Sequence, residues 1–548
     1  MTIQLKRSKR SCGSVLRLRF SPLRMLPQRS RRGVWNPLRS HRYYCILALL
    51  GLVTSLLLAA GPAKSRASPA EAWQAKVDAW VMRAAADGEA EFLVYLNDQA
   101  DLRGASQLAN KAEKGRFVYQ RLTQAAQRSQ PALLKELATM GVEYRPYWIA
   151  NAVWVRGSAA ILESLARRPE VAHIYANPAV QMQTPAPEEL MALDPSAPAA
   201  PEWNLLRVNA NLVWAAGIEG QGVVIGGQDT GYDWTHPALL RQYRGWDGAS
   251  ANHNYNWHDA IHSASPANLC GSDSPYPCDD QGHGTHTLGI LVGKDGAIQT
   301  GMAPRARWIG CRNMDHGWGT PASYMECFQW FMAPTDMGGN NPDPAQAPHI
   351  INNSWSCPPI EGCTDPNLLL TVVENVRQAG ILSVQAAGNR GPTCGSIDTP
   401  PAIYDASFTV GNTMVGDILA DDSSRGPVMV DLSGRQKPDV SAPGTAIRST
   451  YPGGGYAVFS GTSMASPHVA GLAALLISAR PSLAGQVDVL ESLITHTAAP
   501  ISVKAQTVCP GVPLTPLPNN YYGWGRIDAW SALLAIFPYQ HYFPIIGK

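Results

Sequence analysis

The chain has 548 residues, 45% of them hydrophobic and only 16% charged. That length exceeds the roughly 250–300 residues at which one core stops growing, so more than one folding unit is predicted. Low charge and aperiodic glycine exclude wholesale disorder, a coiled coil and collagen. The net charge of +2 hides an asymmetry, because residues 1–42 hold 12 Lys/Arg and no acid, which leaves 32 basic against 42 acidic residues beyond them. A folded nucleic-acid binder is basic, so no nucleic-acid partner is expected.

The basic start leads into the apolar run Ile46–Ala60, followed by the small residues Gly61, Ala63 and Ala67. Basic flank, short apolar segment and small-residue exit are the parts of a secretory leader over 1–67. The run falls short of the ~20 residues that cross a bilayer comfortably. Export with cleavage near 61–67 is the expectation, and a retained leader that tethers the protein to a membrane is the alternative.

Residues 68–183 read as a small α+β unit. Phe92–Leu96 is a strand candidate, 105–139 has helical composition with Pro131 a break, Ala159–Leu165 is helical and Val171–Tyr175 extended. Thr184–Pro201, rich in Pro and Ala without a period, reads as a linker. From about residue 203, apolar strands (Val223–Gly227, Ile381–Ala386, Phe408–Val410) alternate with helices (Thr285–Leu291, Leu368–Gln378, Ser463–Ser478). Buried strands separated by helices indicate a parallel sheet covered on both faces, so the fold class is α/β. Gly380 stands where a helix C-cap belongs.

Two of the ten cysteines, Cys12 and Cys45, lie in the leader, which leaves eight. An even number in an exported chain suggests disulfides, although 105 connectivities exist and buried thiols are the alternative. The short spacings favour Cys270–Cys278 and Cys357–Cys363, then Cys311–Cys327. No CxxC pair suggests structural zinc.

Four segments carry chemistry. A buried strand ends at Asp229 in DTG; His283 opens a helix in GHGTHT; SVQAAGN ends beyond a strand at Asn389; and Ser463 enters a helix in SGTSMASPHVAG. In open α/β sheets, functional groups collect beyond the carboxyl ends of strands. A hydroxyl nucleophile needs a base and an oriented imidazole, and acyl transfer needs donors aimed at the developing oxyanion. Asp, His, Asn and Ser supply those four requirements.

Together these segments, in the order Asp, His, Ser, resemble the subtilisin-like serine proteases (subtilases) over residues 203–535. PCDDQGHGTHT, GCRNMD, ECFQWFMAPTD, INNSWSCPP and PPAIYDASFTVGNT resemble the bacillopeptidase F type within that family. The resemblance implies a three-layer subtilisin-like fold with a mostly parallel central sheet over 203–548. It implies that 68–183 is an inhibitory propeptide and that 184–202 holds the processing site, with a mature N-terminus between Thr184 and Glu202. GWGRIDAWSALLA resembles the helix that closes the family's domain, and no further domain is expected after it. Ser463 is then the nucleophile, His283 the base and Asp229 its orienting partner, with Asn389 and the Ser463 N–H as the oxyanion hole. Ser354, Trp355 and Ser356, with Ala386, Ala387 and Gly388, are expected to wall the pocket for the residue preceding the cut bond. Ser356, where the family commonly has Gly, narrows it. Arg390 either points into solvent or lends that pocket tolerance for Glu and Asp.

The chemistry needs no cofactor. Structural calcium is compatible with the family but cannot be mapped onto residues here, and Asp279 and Asp280 read as solvated loop charge. Asp233, His236, His286 and His468 read as structural. Protein substrates, the chain's own propeptide and a monomeric state are the expected partnerships. A catalytically dead binding protein of this fold would lose a triad member, and all are present. An α/β-hydrolase esterase would show GxSxG, whereas Ser463 lies in GTSMA.

Overall fold

The computed structural model describes residues 73–182, the backbone of 189–191, 201–263, 265–501, 509, 511–513 and 515–537. The leader, its cysteines and the apolar run lie outside the described residues.

The first unit is built from helix α1 (Ala79–Ala86), strand β1 (Ala90–Leu96), α2 (Lys111–Met140), β2 (Glu143–Tyr147), β3 (Ala152–Gly157), α3 (Ala159–Ala166) and β4 (Val171–Ala176). Its strands form an antiparallel sheet in the order β2-β3-β1-β4. The break anticipated at Pro131 does not occur, since α2 runs straight through it. A mid-helix proline costs about 3 kcal/mol, and the packing of the helix offsets that: Val118, Leu122, Ala125, Leu133 and Leu137 are all buried along one face. Asn110 caps its start by accepting the Glu113 N–H, and Gly141 ends it in the left-handed region.

The second unit centres on seven parallel strands. In chain order they are β7 (Val224–Asp229), β8 (Trp257–Asp259), β9 (Arg307–Arg312), β11 (Ile350–Asn353), β12 (Leu382–Ala386), β13 (Phe408–Thr413) and β14 (Val440–Pro443). Across the sheet their order is β14-β13-β12-β11-β7-β9-β8. The order reverses direction at β7, which makes its carboxyl end the switch point where ligands collect. Helices α4 (His283–Val292), α5 (Pro321–Met332), α6 (Leu370–Gln378), α7 (Thr462–Ala479) and α8 (Ala529–Ala535) belong to this unit. Helix α7 is apolar enough to cross a membrane but is buried as the core helix of the sheet. Gly380 does end α6: its left-handed φ of +77° lets Gly380 and Ile381 donate back to Arg377 and Val376.

The two units share one buried cluster, in which Leu93, Tyr95, Val118 and Tyr147 meet Tyr324, Phe328, Val372 and Val376. Polar contacts cross it: Tyr147 donates to Glu326 and Tyr95 to the Leu368 carbonyl, while the Gln329 side-chain oxygen accepts the Trp148 and Ile149 N–H groups at 2.7 and 3.2 Å. Beyond β4, strand β5 (Val180–Gln181) pairs antiparallel with β10 (Trp318–Gly319), and the Met182 N–H donates to the Gly317 carbonyl. The stretch read as a linker contributes β6 (Glu189–Met191), which adds to the hairpin of β15 (Ile447–Tyr451) and β16 (Gly455–Phe459). An open sheet edge offers unpaired backbone groups that recruit even a Pro-flanked segment. The rest of that stretch, apart from Pro201, lies outside the described residues.

The cysteines pair as 270–278, 311–327, 357–363 and 394–509. The first three follow the short spacings, and the fourth spans 115 positions, which spacing could not indicate.

Candidate active site

Strand β7 delivers Asp229 to the carboxyl edge of the sheet, almost wholly buried at 1% exposure. Its Oδ1 meets His283 Nδ1 at 2.7 Å and accepts the Thr230 N–H at 2.8 Å. The approach is close enough to require Gly284: a Cβ there would stand 2.1 Å from the Gly231 carbonyl oxygen and 3.0 Å from Asp229 Cβ. Helices α4 and α7, which carry His283 and Ser463, pack against each other.

Asp279 and Asp280 are not solvated loop charge. Asp279 accepts from Thr230 Oγ1, the N–H groups of Gln281, Gly282 and Thr285, and Thr285 Oγ1, and so ties the DTG turn to the first turn of α4. Asp280 faces buried Arg312 at 3.4 Å and accepts the His316 N–H, and burial pushes its carboxyl up to about 6. Each is consumed by its own neighbours. Among the described residues no group of three or more His, Cys, Asp or Glu side chains is arranged to hold a metal ion.

Ser463, in the first turn of α7, is partly exposed, and its Oγ donates to the Ser354 carbonyl at 3.2 Å. Beside it, Asn389 is oriented by Thr462: the Thr462 N–H and Oγ1 both reach Asn389 Oδ1, at 2.9 and 2.8 Å, while Thr462 Oγ1 accepts the Gly388 N–H at 3.1 Å. With its oxygen held this way, the Asn389 amide group presents donors. Sequence reasoning missed Thr462; its place directly before Ser463 was the available signal. Ser354 contributes beyond a wall role, since its Oγ donates to the Ser463 carbonyl at 3.0 Å and lies 2.9 Å from Ser466 Oγ.

Ser463, Asn389, Ser354, Trp355, Ser356 and Gly388 line one cavity. Ala387 does not: it is buried in the core with its N–H bonded to Val410, and Ala386 faces the cavity instead. Strand β12 ends at Ala386, and Gly388 follows in the left-handed region at φ +102°, so the chain turns there with Ala387 kept in the core. The Trp355 indole is turned into the core, stacked 3.9 Å from the Tyr324 ring. Arg390 lines the cavity, ion-paired with Asp398 and bonded to the Ser396 carbonyl, so it neither points freely into solvent nor offers an uncompensated cation. Gln181 and Met182 lie along the same cavity.

The remaining polar residues are structural. His286 is buried between the carbonyls of Ile447 and Ala457, and burial drives its pKa down to about 3. His468 bonds Met464 and Asn204, and His236 bonds Gly455 and the Ala238 N–H. Asp233 closes a turn through Thr235 and Gly453.

A seven-stranded parallel sheet covered by helices, with a buried Asp–His pair at its switch point and a serine entering the core helix, defines an α/β protein of subtilisin type. The chain belongs to the subtilase family: the model described as "Subtilase family" matches residues 220–525. It is similar to bacillopeptidase F of Bacillus subtilis (strain 168), 35% identical over 478 residues, which cover 81% of this chain and 31% of that protein. It is 32% identical over 336 residues to subtilisin of Bacillus pumilus, covering 60% of this chain and 98% of that one. Subtilisin E of Bacillus subtilis (strain 168) is 32% identical over 300 residues, 54% of this chain and 66% of that one. The chain thus spans about a third of the length of bacillopeptidase F.

Proposed function

We propose that this protein is an exported serine endopeptidase, made as a zymogen, that hydrolyses peptide bonds through an acyl-enzyme. The observation that carries the reading is the buried Asp229–His283 pair, its histidine on a helix packed against the one that carries Ser463, with Ser463 and Asn389 on one cavity that Gln181 and Met182 at the end of the chain's own strand β5 also line. Ser463 Oγ leaves the Ser354 carbonyl and attacks the substrate carbonyl carbon as His283 Nε2 takes its proton. Asp229 holds the Nδ1–H tautomer and stabilises the imidazolium. The Asn389 amide and Ser463 N–H receive the oxyanion; losing one such donor costs on the order of 10²–10³ in turnover. His283 returns the proton to the leaving amine, and water, activated by the same imidazole, releases the acyl group.

Residues 68–183 act as the inhibitory propeptide: their sheet packs on α5 and α6, and Gln181 and Met182 near their end line the cavity beside Ser463. The bond to be cut follows Met182 and precedes β6, within the short stretch between two strands that are each paired to the second unit. That position favours self-processing at the early edge of the Thr184–Glu202 window. The leader and the four disulfides support an extracytoplasmic destination. Phenylmethylsulfonyl fluoride is expected to modify Ser463, and Ser463→Ala to abolish turnover and leave the chain uncut between 182 and 202. Near-wild-type activity in Ser463→Ala refutes the assignment.

A further inference from the structure

The cavity beside Ser463 has one wall that no motif explains. Directly after Ser356 the chain makes a tight excursion, Cys357–Cys363, closed by a disulfide and containing the helical turn Pro359–Glu361. Glu361 lines the cavity. The backbone N–H of Gln181, at the end of strand β5, lies close enough to its carboxylate to lower its pKa, and among the described residues nothing hydrogen-bonds its buried Oε2. A carboxylate oxygen that is dehydrated and unpartnered carries a cost which a donor arriving from a bound peptide relieves.

The charge balance around the cavity's other charged lining residue, Arg390, sharpens its preference. Arg390 is matched by Asp398 and anchored to the Ser396 carbonyl, so its charge is already answered. Among the described residues Glu361 has no such ion pair; burial raises its pKa, and Arg390 lowers it by a smaller amount. Arg390, Asp398 and Glu361 together therefore leave one negative charge in excess. This reverses the acid tolerance that Arg390 suggests from the sequence alone.

We propose that Glu361 is a substrate-binding residue with two roles: it accepts a main-chain N–H of the bound peptide, and it selects for donor-bearing side chains (Lys, Arg, Gln) over acidic ones in the cavity. The proposal rests on the proteolytic reading above and names the substrate class of that same site. Its two roles separate by chemistry. Glutamine in place of Glu361 keeps a side-chain oxygen for the main-chain N–H but removes the charge; alanine removes both.

The test uses the self-processed protein and four matched peptides with Lys, Gln, Leu or Glu preceding the cut bond. Wild type is expected to favour Lys over Glu by about tenfold or more in kcat/KM, the scale of one partly buried charge–charge contact. Glu361→Gln should reduce that ratio several-fold, through the Lys and Glu peptides far more than through Leu. Glu361→Ala should flatten the ratio and also raise KM for all four peptides, with kcat on Leu retained because Glu361 touches no reacting atom. A Lys/Glu ratio in Glu361→Gln equal to wild type overturns the charge selection. An unaltered KM in Glu361→Ala overturns the main-chain contact, and a collapse of kcat on the Leu peptide in either variant shows a purely structural residue. Wild-type cleavage of the Leu peptide upholds the proteolytic reading whichever way the ratios fall, and its absence removes both readings together.

Discussion

Thr462 offers a sharp test of how the Asn389 amide is held and of the oxyanion role proposed for it. Thr462→Val keeps the volume of the side chain but deletes Oγ1, which donates to Asn389 Oδ1 at 2.8 Å and accepts the Gly388 N–H at 3.1 Å. The Thr462 N–H remains on Asn389 Oδ1 at 2.9 Å, so the amide loses one of two restraints rather than its place. A net hydrogen bond contributes about 1 kcal/mol, and the Gly388 N–H left unpaired costs about 1–3 kcal/mol more in stability. In turnover the expected loss is about five- to twentyfold, well below the 10²–10³ of removing an oxyanion donor outright. KM should hardly change, because Thr462 acts through Asn389 and not on the ground-state peptide. Steady-state kinetics on one peptide with wild type, Thr462→Val, Asn389→Gly and the double variant form a double-mutant cycle. In the Asn389→Gly background, Thr462→Val should cost almost nothing in kcat, while Thr462→Ser should retain most of the wild-type rate. Full additivity of the two losses refutes the positioning argument.

Three further outcomes follow from the packing. Replacing Gln329 with Ala removes the acceptor for the Trp148 and Ile149 N–H groups; on the propeptide reading, the isolated first unit added in trans should inhibit the processed protein with a Ki raised about 30-fold or more, for two part-buried donors left without an acceptor at about 1–3 kcal/mol each, and an unchanged Ki refutes the contact. The Cys394–Cys509 bridge closes 115 positions against 6 for Cys357–Cys363; chain entropy assigns the two about 5 and about 2 kcal/mol, so Cys394→Ser with Cys509→Ser should lower the midpoint of denaturant unfolding more than Cys357→Ser with Cys363→Ser. Glu326 accepts from His258, His262 and Tyr147, with Asp273 and Arg145 acting on His262. Burial opposes charge on both Glu326 and His262, but the two histidines hold Glu326 well below the usual carboxylate range, and Glu326 then raises His262. The Glu326 contribution is present above its unfolded pKa of about 4.5 and lost as pH falls through the folded value; that of His262 is present below about 6.5 and lost as pH rises through its folded value. Ser463→Ala with Glu326→Gln should therefore show its largest melting deficit, relative to Ser463→Ala alone, between about pH 4.5 and 6.5. A pH-independent deficit counts against the cluster.

The alternation of buried strands and helices, the C-cap at Gly380 and the four motifs were legible in the sequence because each is a local signal. A strand end, a helix start and a left-handed cap are written in contiguous residues. The short disulfides were legible for the same reason, since few residues separate the sulfurs. Other features needed the tertiary structure. Pro131 stays inside α2 because the apolar face of that helix is packed, an energy no local propensity contains. Asp279 is half-buried and Asp280 buried because the loop folds back on Thr230 and Arg312, 49 and 32 positions away. Ala387 leaves the cavity because its N–H pairs with Val410 and its side chain packs into the core, Arg390 is answered by Asp398 across a turn, and Cys394 finds Cys509 across 115 positions. Sequence states which groups are present and which elements they begin or end. Burial and charge balance depend on atoms brought from distant positions, and only the packed chain fixes those.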